Sequence, residues 1–150
     1  MNQFEWTVRV YWEDTDGGGG VFYANYLKFF ERARTEWLRS LGVGQQDLAE
    51  RTGAMFIVSR TAVDYHFPAR LDDALVVRSR IERLGRASVE FDQQAWLGDK
   101  LLAGGRIRVG CVDRGSFKPR ALPADVRAAL EASAGVKAGR PNTDVSETLT

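Results

Sequence analysis

The sequence contains one cysteine, Cys111, and one histidine, His66. It therefore has no internal disulfide, and it offers too few soft ligands for an ordinary zinc site or a Cys-His catalytic pair. Neither metal nor cofactor is expected. Long apolar runs are also missing: none approaches the roughly 20 residues that span a bilayer. Met1 to Val8 carries Glu5 and lacks the apolar core of a signal peptide, so a cytoplasmic location is the expectation. Neither sign of charge is in excess, with 21 Lys and Arg against 20 Asp and Glu and a formal net charge of +1. No global field recruits nucleic acid or an anionic membrane, and any anion site must be local.

At 150 residues, 44% hydrophobic and 27% charged, the chain has the size and balance of one globular domain whose core a second subunit could complete. Residues 1–134 carry the patterning expected of that domain. Residues 135–150 have few large apolar side chains and are expected to form a mobile tail.

Between Glu5 and Trp12 the residues Trp6, Val8, Val10 and Trp12 alternate with polar ones, which predicts a half-buried strand. Glycines 17–20 interrupt regular structure. From Asn25 the period becomes helical, with Leu27, Phe30, Ala33 or Arg34, Trp37, Leu38 and Leu41 on one stripe, ending at Gly42. On the other face Arg32 and Glu36, and Glu31 and Arg34, are spaced for surface pairs. A short helical patch follows at Gln45–Thr52. Four further segments alternate with period two: Met55–Phe67, Leu75–Arg83, Ala87–Leu97 and Leu101–Asp113. Each is expected to have one wet face, and tight connections between them suggest an antiparallel meander. A helix from Pro123 to Ala132 closes the pattern. The expected class is α+β, with one long helix against a curved antiparallel sheet of about five strands.

Chemistry concentrates in Tyr11–Tyr26, where Glu13, Asp14 and Asp16 precede the glycine run and then the long helix. Glycines let backbone approach a ligand, and the free N–H groups of a helix start favour an anion or a developing oxyanion. A carboxylate beside that point could deprotonate water or attack a carbonyl. By spacing alone the three carboxylates are equivalent, and an ordinary Asp-rich turn fits as well. A nucleotide loop does not, because no Gly-Lys-Ser/Thr follows, and the later ligands of a calcium loop are absent.

The run Val8–Asp16, with Gly18, Val21, Asn25-Tyr26 and Glu31–Glu36, resembles the 4-hydroxybenzoyl-CoA thioesterase family. Within that family the similarity is to bacterial acyl-CoA thioesterases associated with the Tol-Pal envelope system. It continues through Tyr65–Asp73, where Pro68–Asp73 stands out, and through Cys111–Pro123, with Lys118–Pro123, and covers about residues 6 to 130. The resemblance implies a hotdog fold assembled as a homodimer or homotetramer. It also implies hydrolysis of acyl-CoA, or of thioesters on an acyl carrier protein. The second aspartate of the Asp-Thr-Asp motif, Asp16, would be nucleophile or general base, and the backbone N–H of Tyr23 would polarise the thioester carbonyl. Tyr23 stands where the envelope-associated members commonly have histidine, and the glycine run is richer than the usual pattern, which would loosen the pocket. A second hotdog type uses a helix glutamate, which makes Glu31 the alternative base.

For the coenzyme, the resemblance points to Arg86 and Ser88, and position alone adds Arg60, Lys118 and Arg120. His66 is expected to be structural or solvated, and Cys111, in phase with Ile107 and Val109, to be a buried small hydrophobe. Two other functions compete with hydrolysis. One is a hotdog hydratase or dehydratase, which would need a histidine in the active-site motif. The other is an acyl-carrier-binding accessory of an envelope assembly with little catalysis.

Overall fold

The computed structural model describes residues 3–134, so the segment expected to be a mobile tail lies outside the described residues. Five strands, β1 (Phe4–Arg9), β2 (Ala54–Tyr65), β3 (Ala74–Leu84), β4 (Ser88–Leu97) and β5 (Lys100–Asp113), form one antiparallel sheet in the order β1-β3-β4-β5-β2. Three helices accompany it: α1 (Asn25–Ser40), α2 (Gln45–Thr52) and α3 (Ala124–Ala134). Among the described residues no helix is long and apolar enough to cross a membrane.

Helix α1 forms where the apolar stripe predicts it. Phe29, Phe30, Ala33, Trp37 and Leu38 are buried against Val8, Val10, Leu75, Val77, Phe91 and Ala95 in one hydrophobic core. The Trp37 ring stacks on Phe4 at 5.7 Å and meets Phe91 edge-on at 6.0 Å. Its indole N–H donates to Ser133 Oγ at 2.8 Å, tying α1 to α3. Gly42 takes φ +84°, the left-handed residue that ends the helix.

Five expectations need correction. Strand β1 stops at Arg9, and Trp12–Asp14 form a 3-10 turn instead. Trp6 and Trp12 are exposed, while Val8 and Val10 are buried and the Val10 N–H donates to the Asp73 carbonyl. Strands β3, β4 and β5 do form a meander, but β2 crosses to the far edge and pairs with β5. Strand β2 is also wet over most of its length, with Ile57, Val58 and Tyr65 exposed, since among the described residues no strand pairs with its outer edge.

The last correction concerns α1. Glu36 pairs with Arg39 at 2.6 Å rather than with Arg32, and Arg34 is buried at 7% exposure. Its Nη1 donates to Gln93 Oε1 at 2.8 Å, and Gln93 Nε2 donates to the Phe30 carbonyl and to Ser79 Oγ, both at 2.9 Å. This polar bolt joins α1 to β3 and β4 inside the core.

Candidate active site

The carboxylate loop is bonded at both ends. The Val10 carbonyl accepts from Asp72 N–H, Val21 N–H donates to the Ala69 carbonyl, and Thr15 faces Val21 across an isolated bridge. The three carboxylates, equivalent by spacing, take different roles here. Glu13 is exposed. Asp14 is 4% exposed, and its carboxylate accepts from Tyr11 N–H at 2.9 Å. The Asp14 carbonyl accepts from Asn25 Nδ2 at 2.7 Å and from Phe22 N–H at 3.1 Å. Asp14 therefore anchors the loop to the first turn of α1.

Asp16 is exposed, and its Oδ1 accepts from Gly18 N–H at 2.8 Å while its own N–H donates to the Gly20 carbonyl at 3.0 Å. Gly17 and Gly19 have φ of +87° and +95°, values that disfavour any other residue. The glycine run is thus a turn closed by defined bonds.

The chain then turns into α1 through Phe22–Ala24. Among the described residues the N–H of Tyr23 has no acceptor, and the helix start has no side-chain cap. That N–H and the dipole of α1 are available to an incoming oxygen. The Tyr23 ring is 61% exposed and packs edge-on to Tyr65 at 5.8 Å. Tyr26 lies beneath, its hydroxyl accepting from Ala69 N–H at 3.0 Å. Burial pushes the hydroxyls of both Tyr26 and Tyr65 above the usual tyrosine value, so both stay protonated at neutral pH. Sequence reasoning missed Tyr65, since only the fold brings the end of β2 beside the start of α1.

Glu31 stands two turns along α1. Its Oε2 accepts from Thr35 Oγ1 at 3.0 Å, and it lines an apolar groove of about 310 Å³ with Leu27, Lys28, Arg34 and Val58. Burial lowers the pKa of Arg34 to about 10, an effect that Glu31 opposes.

A second cleft, of about 640 Å³, opens where β2, β4 and β5 meet the β3–β4 turn, and Arg60, Arg86, Ser88, Arg108 and Ser59 line it. Three of the expected coenzyme residues, Arg60, Arg86 and Ser88, are brought together here. Arg108, which pairs with Arg60 across β2 and β5, joins them and was not read from sequence. The register shifts between Val58 and Arg60 and between Ile81 and Arg83 adjoin the cleft, which Ser59, Arg60 and Arg83 line.

The remaining expected residues lie elsewhere or serve the scaffold. Lys118 is exposed and does not line the cleft. Arg120 is drawn away, its Nη1 donating to the Thr52 carbonyl at 2.8 Å and pairing with Asp113 at 3.9 Å. Cys111 is buried at the cleft floor, and burial pushes its thiol up, as suits an inert small hydrophobe. His66 follows β2, exposed, its N–H donating to the Leu102 carbonyl. Among the described residues no group of three or more His, Cys, Asp or Glu is arranged to hold a metal ion.

A carboxylate and a free backbone donor on one loop suit acyl transfer, and a multi-arginine cleft suits phosphate. Comparison with known proteins agrees with that chemistry. The chain is 45% identical to an acyl-CoA thioesterase of Haemophilus influenzae, YbgC, over 86% of this chain and 95% of the relative. It is 46% identical to the acyl-CoA thioester hydrolase YbgC of Escherichia coli O157:H7 over 82% of this chain and 92% of the relative. Among solved structures, a probable thioesterase from Bartonella henselae superposes with a TM-score of 0.75 at 33% identity, over 81% of this chain and all but 1% of the other, its coverage being 99%. Residues 18–103 match the model of the thioesterase superfamily, and the chain is a hotdog-fold member of that superfamily.

Proposed function

We propose that this chain hydrolyses acyl-CoA thioesters to a free acid and coenzyme A, with Asp16 as its reactive carboxylate. Two observations support the reading: Asp16 is an exposed carboxylate on a bonded loop, and the N–H of Tyr23, on the same loop before α1, has no acceptor among the described residues. Asp16 either takes a proton from water, whose oxygen attacks the thioester carbonyl, or attacks that carbon itself; the tetrahedral adduct then collapses with cleavage of the C–S bond, releasing coenzyme A as thiolate and leaving the free acid or an anhydride that water opens. Both routes put negative charge on the carbonyl oxygen, which the Tyr23 N–H and the dipole of α1 stabilise. The tyrosine side chain supplies no imidazole, so acid-base work falls to the carboxylate.

The working unit is a homodimer or a larger even assembly. Strand β2 is a long, exposed edge, and such edges invite pairing with another strand. Within one chain, Ala103, which faces Tyr65 near the carboxylate loop, and Gly110, beside the cleft, are about 23 Å apart along β5 at roughly 3.3 Å per residue. Two-fold antiparallel pairing of β2 would reverse one copy, bringing the cleft of one protomer toward the Asp16 loop of its partner. The coenzyme would then bind Arg86, Ser88 and Arg60 of one subunit while its thioester met Asp16 of the other.

The test is Asp16→Asn and Asp16→Ala against short, long and aromatic acyl thioesters, on coenzyme A and on acyl carrier protein. A loss of about 100-fold or more is expected, and undiminished hydrolysis by Asp16→Ala would overturn the mechanism. The carrier-bound substrates decide whether acyl carrier protein also serves. Association with the Tol-Pal envelope system rests on the sequence resemblance and is tested by co-purification from cells. Glu31 as base is the second reading, favoured by its position on the apolar groove.

A further inference from the structure

The β3–β4 turn that lines the arginine cleft is held in an unusual way. In Gly85-Arg86-Ala87 all three carbonyls are engaged from outside the turn. Arg127 Nη1 donates to the Gly85 carbonyl at 2.8 Å, Leu122 N–H to the Arg86 carbonyl at 3.0 Å and Cys111 N–H to the Ala87 carbonyl at 2.8 Å. The turn is also closed on itself by Gly85 N–H donating to the Ser88 carbonyl at 2.8 Å, and a Cβ at Gly85 would stand 2.8 Å from Ser88 Oγ. With its carbonyls turned back into the protein, the segment leaves the N–H groups of Arg86 and Ala87 without acceptors among the described residues.

Two of these three donors are backbone groups of β5 and of the segment before α3. The third is a side chain, and it is itself oriented. Arg127 Nε pairs with Glu131 Oε2 at 3.3 Å on the same face of α3, and Glu131 is buried. A bidentate-capable guanidinium held at one end by a buried carboxylate has little freedom at the other. Burying Glu131 is costly unless it is paired, which gives the Arg127–Glu131 contact a defined geometry.

We infer that Arg127 is a positioning residue: held by Glu131, it fixes the Gly85-Arg86-Ala87 turn so that Arg86, Ser88 and the free N–H groups meet the phosphates of the coenzyme. The inference rests on the reading of the cleft as the coenzyme site. Arg127 itself does not line the cleft, so it acts through the turn and not on the ligand. Its effect is confined to the part of the substrate that carries phosphate. A thioester lacking that part, such as an acyl-N-acetylcysteamine, does not use the turn.

The experiment compares kcat/KM for an acyl-CoA with kcat/KM for the matching acyl-N-acetylcysteamine in Arg127→Gln, Arg127→Lys, Glu131→Gln and Arg86→Ala. In Arg127→Gln the ratio of the two is expected to fall about tenfold, the size of one charge-assisted hydrogen bond. The fall is expected in KM rather than kcat, with Arg127→Lys recovering part of it and Glu131→Gln showing a smaller fall. Titration of free coenzyme A into the same proteins, after a thermal melt verifies folding, reads the same effect without turnover. If Arg127→Gln lowers both substrates in parallel, or leaves the ratio unmoved while Arg86→Ala lowers it, the positioning role is overturned and the coenzyme site stands. If Arg86→Ala also leaves the ratio unmoved, the cleft is not the coenzyme site and both readings fall.

Discussion

Gln93→Leu should be among the more damaging single substitutions in this protein, although it exchanges side chains of similar volume and opens no cavity. Gln93 is fully buried and makes three hydrogen bonds, accepting from Arg34 Nη1 and donating to Ser79 Oγ and the Phe30 carbonyl. Two neutral bonds at about 1 kcal/mol each and one to a charged group at about 2 kcal/mol sum to about 4 kcal/mol. The loss is not softened by solvent, because the Arg34 guanidinium stays buried against Phe91. For a chain of this length that is a fall of roughly 10 °C in the unfolding midpoint. Arg34→Met should cost less, since it removes the charge together with one bond. Replacing both partners by apolar groups removes the orphaned cation, so the double variant should lose about 1–2 kcal/mol less than the sum of the singles. Urea titrations of the four proteins, at one protomer concentration because assembly shifts apparent stability, measure this directly. Singles that add to within about 0.5 kcal/mol would refute the bolt as a coupled unit.

Glu31→Gln should change hydrolysis by less than about threefold while Asp16→Asn loses two orders of magnitude or more; the reverse ranking in steady-state kinetics would move the base to α1. Gly105→Ala should destabilise by about 1–3 kcal/mol in a denaturant titration, because its Cβ would stand 2.8 Å from Val63 Cγ2 and 2.9 Å from the Ala62 carbonyl, and a backbone oxygen in β2 cannot rotate aside. Asp113 accepts from Ser116 N–H and Gly115 N–H, and these bonds hold its carboxyl below the ordinary value of 3.8. A depressed folded value means its contribution is present above 3.8 and fades as pH falls through the folded value. Acid-unfolding curves should therefore flatten below pH 3.8 in Asp113→Asn relative to the parent.

The long helix, the five alternating segments and the α+β class were legible in the chain itself, because hydrophobic period is a local property and Gly42 marks its own helix end. The choice of Asp16 rests on resemblance, since spacing treats Glu13, Asp14 and Asp16 alike. Burial sets Asp14 apart from the other two: it is turned inward to bond Tyr11, while Glu13 and Asp16 stay exposed. Arg34 shows the same limit, because a residue at the margin of a helical stripe is read as surface until the sheet supplies a buried partner such as Gln93.

The cleft proposed for the coenzyme needed the tertiary structure most. Arg60, Arg86 and Arg108 lie on three different strands or turns, and only the crossing of β2 to the far edge and the β2–β5 register bring them to one cleft. The same register leaves Arg120 bonded to Thr52 and out of reach. Local pattern determined which elements form; strand order, a property of contacts between residues far apart in the chain, decided which charges meet.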